Sequence, residues 1–373
     1  MGFSDFLGNE NILTALRGML RAGRVPNALL FTGPRGVGKY TLARMFAQAA
    51  NCERMTDDFC GECAPCRSIA QLADTQPLVE RGLAERGESA DTATVERMPL
   101  LLQTHPDVCV VVPDPVRLRT PVARPVIRMG QLRAVQRAAY FRPGARRRVF
   151  ILDGAETMRR DYANIFLKIL EEPPESATLI LLASSPDLLL RTIQSRCLRF
   201  YFAPLPVEQV EEFVNRRTDL KPAQRRLVAQ LSQGSIGTAL GMDLEESARL
   251  RRDVLRVLEL GTAGKPSGRL FALTAQLAKA EKVPFENILE LFYSLLTDLL
   301  ELSCDAKNSV LRNPDLRREL EAISAKATLE WVGQATSRLD QLHGRLRRNV
   351  NRQLGLDNVA VSLAGRSAAA VSQ

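Results

Sequence analysis

The sequence predicts a three-layer α/β domain with a parallel sheet, followed by an all-helical remainder. Three observations carry that prediction. Four short apolar runs, at residues 28–31, 108–112, 149–152 and 179–182, are each bounded by turn or charged residues, as strands buried on both faces of a parallel sheet are. Stretches with helical spacing lie between them, at 40–50, 130–140 and 162–171, the last closed by Pro173-Pro174. After Phe202 no comparable strand occurs, and helical patterns run to the end.

A chain of 373 residues is too long for one ordinary core, so three parts are expected. They are the α/β domain at 1–202, a small helical unit at 203–245 broken by Gly234-Ser235, and a larger helical domain at 246–373. The apolar stretch 284–303 is interrupted by Glu290 and Asp298 and reads as a core helix rather than a membrane span. With no spanning run and no cleavage pattern at the N-terminus, the expectation is a cytoplasmic protein without a membrane partner. The net charge of +9 permits a polyanionic partner without requiring one. Residues 71–104 form a polar, charge-mixed insertion, partly helical or disordered.

The first motif with chemical content is GPRGVGKYT, which follows the first strand and opens a helix. Gly33, Gly36, Gly38 and Lys39 are the residues of a phosphate-cradling loop, in which backbone N–H groups hold phosphates and the lysine reaches the outer ones. The next residue in such loops carries the hydroxyl that ligates magnesium, but here it is Tyr40, with Thr41 one place too late. A second motif, VFILDGAETM, ends a strand on Asp153, which suits a magnesium ion held through water. A catalytic carboxylate belongs in the following position, which is Gly154. Glu156, three places on, is expected to point elsewhere. Two separate losses argue against hydrolysis at this site.

Cys52, Cys60, Cys63 and Cys66 fall within fifteen residues, in a module spanning 51–67, and the last three form overlapping C-x-x-C pairs. Four thiolates at this spacing suit a closed, structural zinc site; an iron–sulfur cluster is the softer alternative. Two further features are less specific. Arg196, in TIQSRC, is either a surface arginine or one displayed toward another molecule's phosphate. The basic runs at 142–148 and 345–348 read as solvated faces, and His105 as a hydrogen-bonded structural residue.

Taken together, these motifs resemble the delta-prime subunits of bacterial DNA polymerase III clamp loaders, within the AAA+ superfamily. The resemblance runs densely over residues 1–202, through NALLFTGPRGVGK, the four-cysteine module, HPDV, IRMGQLRAV, NIFLKILEEPPESATLILLASSP and TIQSRC; the remainder matches in organisation only. It implies zinc on the four cysteines and an arginine finger at Arg196 acting in trans on an ATP-hydrolysing neighbour. It further implies a degenerate nucleotide site in which ATP binds weakly or not at all. Ser184 or Ser185 falls in the sensor-1 region, and Gly237, in QGSIGTAL, where motor subunits carry a sensor-2 arginine. The implied partners are the motor and delta subunits of a hetero-pentamer and, through it, a sliding clamp and primed DNA. The helical parts would then be a lid and a collar. The nearest rival is a motor subunit of the same loader; more distant are an autonomous AAA+ ATPase acting on nucleic acid and a DNA-binding zinc protein.

Overall fold

The fold comes from a computed structural model that describes residues 2–87, 90–115, 125–264, 268–280, 283–306, 309–345 and 351–367. Its sheet has six strands: β1 (Ala28–Thr32), β2 (Leu102–His105), β3 (Val108–Val111), β4 (Arg148–Leu152), β5 (Ala177–Ala183) and β6 (Leu198–Tyr201). Their order is β2-β3-β4-β5-β1-β6, every pair being parallel except β2 with β3. Alternate residues of the central strands enter separate cores. Leu29, Phe31, Val110, Ile151 and Ile180 pack with the helices Glu10–Arg21 and Lys39–Ala50. Leu30, Val111, Phe150, Leu152 and Leu181 pack with Met129–Ala139 and Arg160–Glu171. Every position of β1, β3 and β5 is buried, which is why these runs are apolar without alternation.

The described residues of the polar insertion are folded. They form the helices Gln76–Arg86 and Thr92–Arg97 and lead into β2, with the Asp91 side chain capping the second helix at Thr94 N, 2.8 Å. A buried ion pair, Arg86 to Asp114 at 2.6 Å, ties the insertion down. An ion pair this dry persists only because both partners are present together.

The chain divides into two units: 1–206 with 235–237, and 207–234 with 238–373. In the second, the helices Leu244–Thr262, Gly268–Ala278, Phe285–Cys304, Leu329–Arg345 and Arg352–Ser367 share one apolar core. Asp298, the acid inside the most apolar helix, is fully buried. It accepts from Arg312 N at 2.7 Å, Asn313 N at 2.9 Å and Asn313 Nδ2 at 2.8 Å, so its charge organises the following loop. Among the described residues, no helix is long and apolar enough to cross a membrane.

Candidate functional site

The sheet order places three strand ends side by side. β1 lies next to β5, and β5 next to β4, so the segments leaving their carboxyl ends converge at one edge of the sheet. Those segments carry the glycine loop, Ser184 and Asp153 respectively. Gly33, Gly36 and Gly38 all have positive φ (139°, 72° and 95°), so the loop keeps the backbone shape its glycines imply.

The charge that should face a phosphate is turned inward. Lys39 is buried, and its Nζ donates to Gly33 O and Pro34 O, both at 2.6 Å, and to Ser184 Oγ at 3.2 Å. An ammonium has three donors, and all three are taken by the protein. Burial pulls the Lys39 pKa down to about 8, partly offset by the carboxylates of Asp153 and Glu156. Burial likewise raises the Asp153 pKa, and the neighbouring Glu156 charge pushes it the same way.

Glu156 does not point elsewhere. Its Oε1 accepts from Ser184 N at 3.0 Å, which places it against the residue that Lys39 touches. Sequence reasoning set it aside because it lies three places after Asp153; the left-handed turn at Gly154 (φ 65°) followed by a 3₁₀ turn, Ala155–Thr157, brings it back. A side chain at 154 would be strained there, and its Cβ would meet Pro113 Cγ at 3.1 Å. Between Ser184 and Ser185, it is Ser184 that meets Lys39.

Tyr40 leaves the loop altogether. Its hydroxyl donates to Leu72 O at 2.6 Å and its ring packs among the apolar residues beside the cysteine module. Thr41 is exposed on the helix. Gly237 covers the loop from outside: its N–H donates to Gly36 O at 2.9 Å, and a Cβ added to it would lie 2.9 Å from Gly36 Cα. A larger residue at 237 therefore requires the loop or this segment to move.

The four cysteines converge. The Sγ atoms of Cys52, Cys60, Cys63 and Cys66 all lie within 4.8 Å of one another, the only such group of metal-ligating residues among those described. Backbone N–H groups aim at the sulfurs, Cys60 N at Cys52 Sγ (3.4 Å), and Glu62 N (3.4 Å) and Cys63 N (3.3 Å) at Cys60 Sγ. The amide donors of Cys63 and Glu62 hold the Cys60 thiol down to about 6, whereas burial pushes Cys66 up. An all-sulfur, closed donor set fits a tetrahedral soft cation.

Arg196 lies elsewhere. The register pairs Leu198 with Leu29, so the residues before β6 are at the amino edge of the sheet, whereas the glycine loop leaves the carboxyl edge. A strand of this length separates them by roughly 10–15 Å. Arg196 is exposed, with Nη2 on Glu171 Oε1 at 2.8 Å and Nη1 donating to Thr192 O at 3.0 Å. Two of its five N–H donors are used and three stay open. Glu171, which sequence reasoning did not single out, closes the helix Arg160–Glu171.

The basic run has an internal use. Arg146 donates to Met55 O and Glu53 O beside the cysteines, Arg147 to Thr178 Oγ1, Val25 O and Glu175 O, and Arg148 pairs with Asp107 at 2.9 Å. These are clamps, not the solvated face their sequence suggests. His105 accepts at Nδ1 from Asp107 N at 3.1 Å, a structural residue as expected. Arg347 and Arg348 lie outside the described residues.

A family model described as DNA polymerase III, delta subunit, matches residues 8–206, and one described as its C-terminal part matches 245–363. The chain belongs to this family. It belongs with the DNA polymerase III clamp-loader subunits. Among curated proteins it is similar to the DNA polymerase III subunit tau of Escherichia coli, 31% identical over 64% of this chain and 32% of that one. The gamma subunit of Buchnera aphidicola is 29% identical over 66% of this chain and 59% of its own length. The clamp-loader subunit thus spans about a third to three-fifths of these relatives. A gamma-subunit-related protein of Thermotoga maritima aligns over 95% of this chain and 99% of that one, at 17% identity and a TM-score of 0.36.

Proposed function

We propose that this subunit is the delta-prime stator of a DNA polymerase III clamp loader, without effective ATP hydrolysis of its own, and that Arg196 acts in trans on a neighbour's nucleotide. The observation that carries the reading is the separation of Arg196 from its own glycine loop. An exposed guanidinium at the amino edge of the sheet, with open donors, cannot serve a phosphate at the carboxyl edge of the same sheet. Its own loop is already satisfied by Lys39, Ser184 and the Gly237 amide. ATP therefore binds this loop weakly or not at all.

In this mechanism Arg196 is a fixed positive charge that meets the charge developing on the transferred phosphoryl group, and so acts on the transition state. Zinc on Cys52, Cys60, Cys63 and Cys66 is structural and supplies no chemistry beyond cross-linking the chain. Residues 203–245 would form the lid and 246–373 the collar that joins the motor and delta subunits in a hetero-pentamer. The assembly would load a sliding clamp onto primed DNA, in the cytoplasm.

Lys39 and Asp153, both retained, favour a second reading, in which this chain is itself the ATP-hydrolysing motor subunit of the loader. Against it stand Tyr40 turned to Leu72, the left-handed Gly154 and Gly237 seated on Gly36. The deciding experiment is ATP turnover by the chain alone and then with motor subunits, for wild type and Arg196→Ala. Silence alone with Arg196-dependent turnover in the mixture is expected. Robust turnover by the chain alone would establish the second reading instead.

A further inference from the structure

Three arginines, at 191, 196 and 199, fall within nine residues at the exposed corner before and inside β6. Among the described residues, Arg196 is the one of the three paired with a carboxylate. Beside it lies a cavity of about 350 Å³ lined by Asp187, Arg191, Gln194, Ser195 and Arg199. Its floor is fixed. Gln194 Nε2 donates to Pro186 O at 2.9 Å and to Leu189 O at 3.1 Å, which orients the amide so that its Oε1 accepts from Arg199 Nη1 at 3.4 Å. Neither Arg191 nor Arg199 forms an ion pair among the described residues, although Asp187 shares the wall.

Two guanidinium groups against one carboxylate leave this cavity electropositive. A carboxylate ligand has two oxygens, which a single arginine fork fills; a phosphoryl group has three terminal oxygens and can engage two forks at once. The site is also open to a neighbour. β6 pairs on one side only, with β1, and Tyr201, on the same face as Arg199 by strand alternation, is 65% exposed.

We propose that this cavity is a phosphoryl seat, in which Arg191 and Arg199 engage a phosphate of the nucleotide held by the neighbouring subunit, next to the oxygens that meet Arg196. The assignment rests on the trans reading given above. Arg196 meets the reacting group, and Arg191 and Arg199 hold an unreacting one, so they govern nucleotide affinity rather than the rate of the bound complex.

The test has two arms. Pyrophosphate is titrated into the full chain, read by the guanidinium Nε–H resonances of labelled arginine. Saturable shifts at Arg191 and Arg199 are expected and retained in K39M, which removes the glycine loop as the source; pyrophosphate affinity, measured by titration calorimetry, should fall at least tenfold in the R191Q/R199Q double variant. Binding unchanged in the double variant, or acetate binding as tightly as pyrophosphate, would overturn the seat whatever the assembly does. In the assembled loader, R191Q/R199Q should raise the KM for ATP at least threefold with kcat nearly kept, whereas R196A lowers kcat. Pyrophosphate binding in the free chain with an unchanged KM in the loader would overturn the neighbour's nucleotide as the ligand. A loader indifferent to R196A would instead sink the trans reading itself.

Discussion

Two edges of one sheet carry opposite electrostatic arrangements. At the carboxyl edge, the glycine loop has its conformation intact and its polar groups consumed internally, with Lys39 folded onto its own carbonyls. At the amino edge, Arg196 is held by Glu171 and Thr192 but keeps donors facing solvent. A buried cation with every donor satisfied has none left for a ligand; an exposed one held in a fixed direction keeps donors for one. The difference teaches that backbone shape and charge display separate: the loop keeps its shape while its lysine faces its own carbonyls.

The largest expected effect is at the open edge. Arg196→Ala should lower ATP turnover of the assembled loader by about 10³-fold, the lower end of what trans-acting arginines contribute. Assembly, followed by size-exclusion chromatography, should be unchanged, because the side chain is exposed and its ion pair with Glu171 is a surface one. Turnover within about twofold of wild type would erase the contrast between the two edges.

Next in size is the cysteine module, which sits against the loop helix. Cys66→Ser, at a fully buried position, should cost about 3 kcal/mol in chemical denaturation, since it removes one of the four converging sulfurs proposed to hold zinc and buries a hydroxyl among apolar groups. Zinc release, counted with a chromogenic chelator after thiol modification, should give one ion per wild-type chain. A chain that carries no metal and loses little stability in Cys66→Ser would reduce the module to packing.

A third test tries to turn the closed edge back into a working one. Tyr40→Thr restores a hydroxyl beside Lys39 but deletes a packed ring and its bond to Leu72 O, so a loss of about 2–3 kcal/mol is expected. Adding Gly154→Glu should still yield no turnover by the chain alone. The backbone at 154 is left-handed and crowded by Pro113, and Gly237 leaves no room for a further cation over Gly36. Measurable hydrolysis by the double variant would mean that only two side chains separate this loop from activity.

The four central strands were legible because a strand covered on both faces must be apolar throughout, and such runs stand out. β2 and β6 were not, because edge strands mix polar and apolar residues: LQTH and LRFY carry no such run. The loop glycines, Lys39, Asp153 and the cysteines were legible as motifs, since each needs a fixed residue type at a fixed spacing. What could not be read was direction. Nothing in the sequence says that Lys39 turns back on Gly33, that Tyr40 points to Leu72, or that Glu156 returns to Ser184. Those follow from the sheet order, which brings strand ends from distant segments together.

The pH dependence of stability is the effect most specific to the closed edge. Burial lowers the Lys39 pKa from 10.5 to about 8. Below pH 8 the lysine is charged in both folded and unfolded chains, and the cost of burying that charge is fully present. Between 8 and 10.5 the folded chain releases the proton while the unfolded chain keeps it, so the cost fades and stability rises with pH. Wild type should therefore gain on Lys39→Met across that window, measured as the difference between their denaturant midpoints at several pH values. A polyphosphate seated in the loop would favour the charged amine and move the window upward. Millimolar ATP should leave it where it is, because the positions a phosphate would take around Nζ are already held by Gly33, Pro34 and Ser184. An upward movement with ATP would show that the loop still opens to nucleotide, and the two edges would then differ in hydrolysis but not in binding.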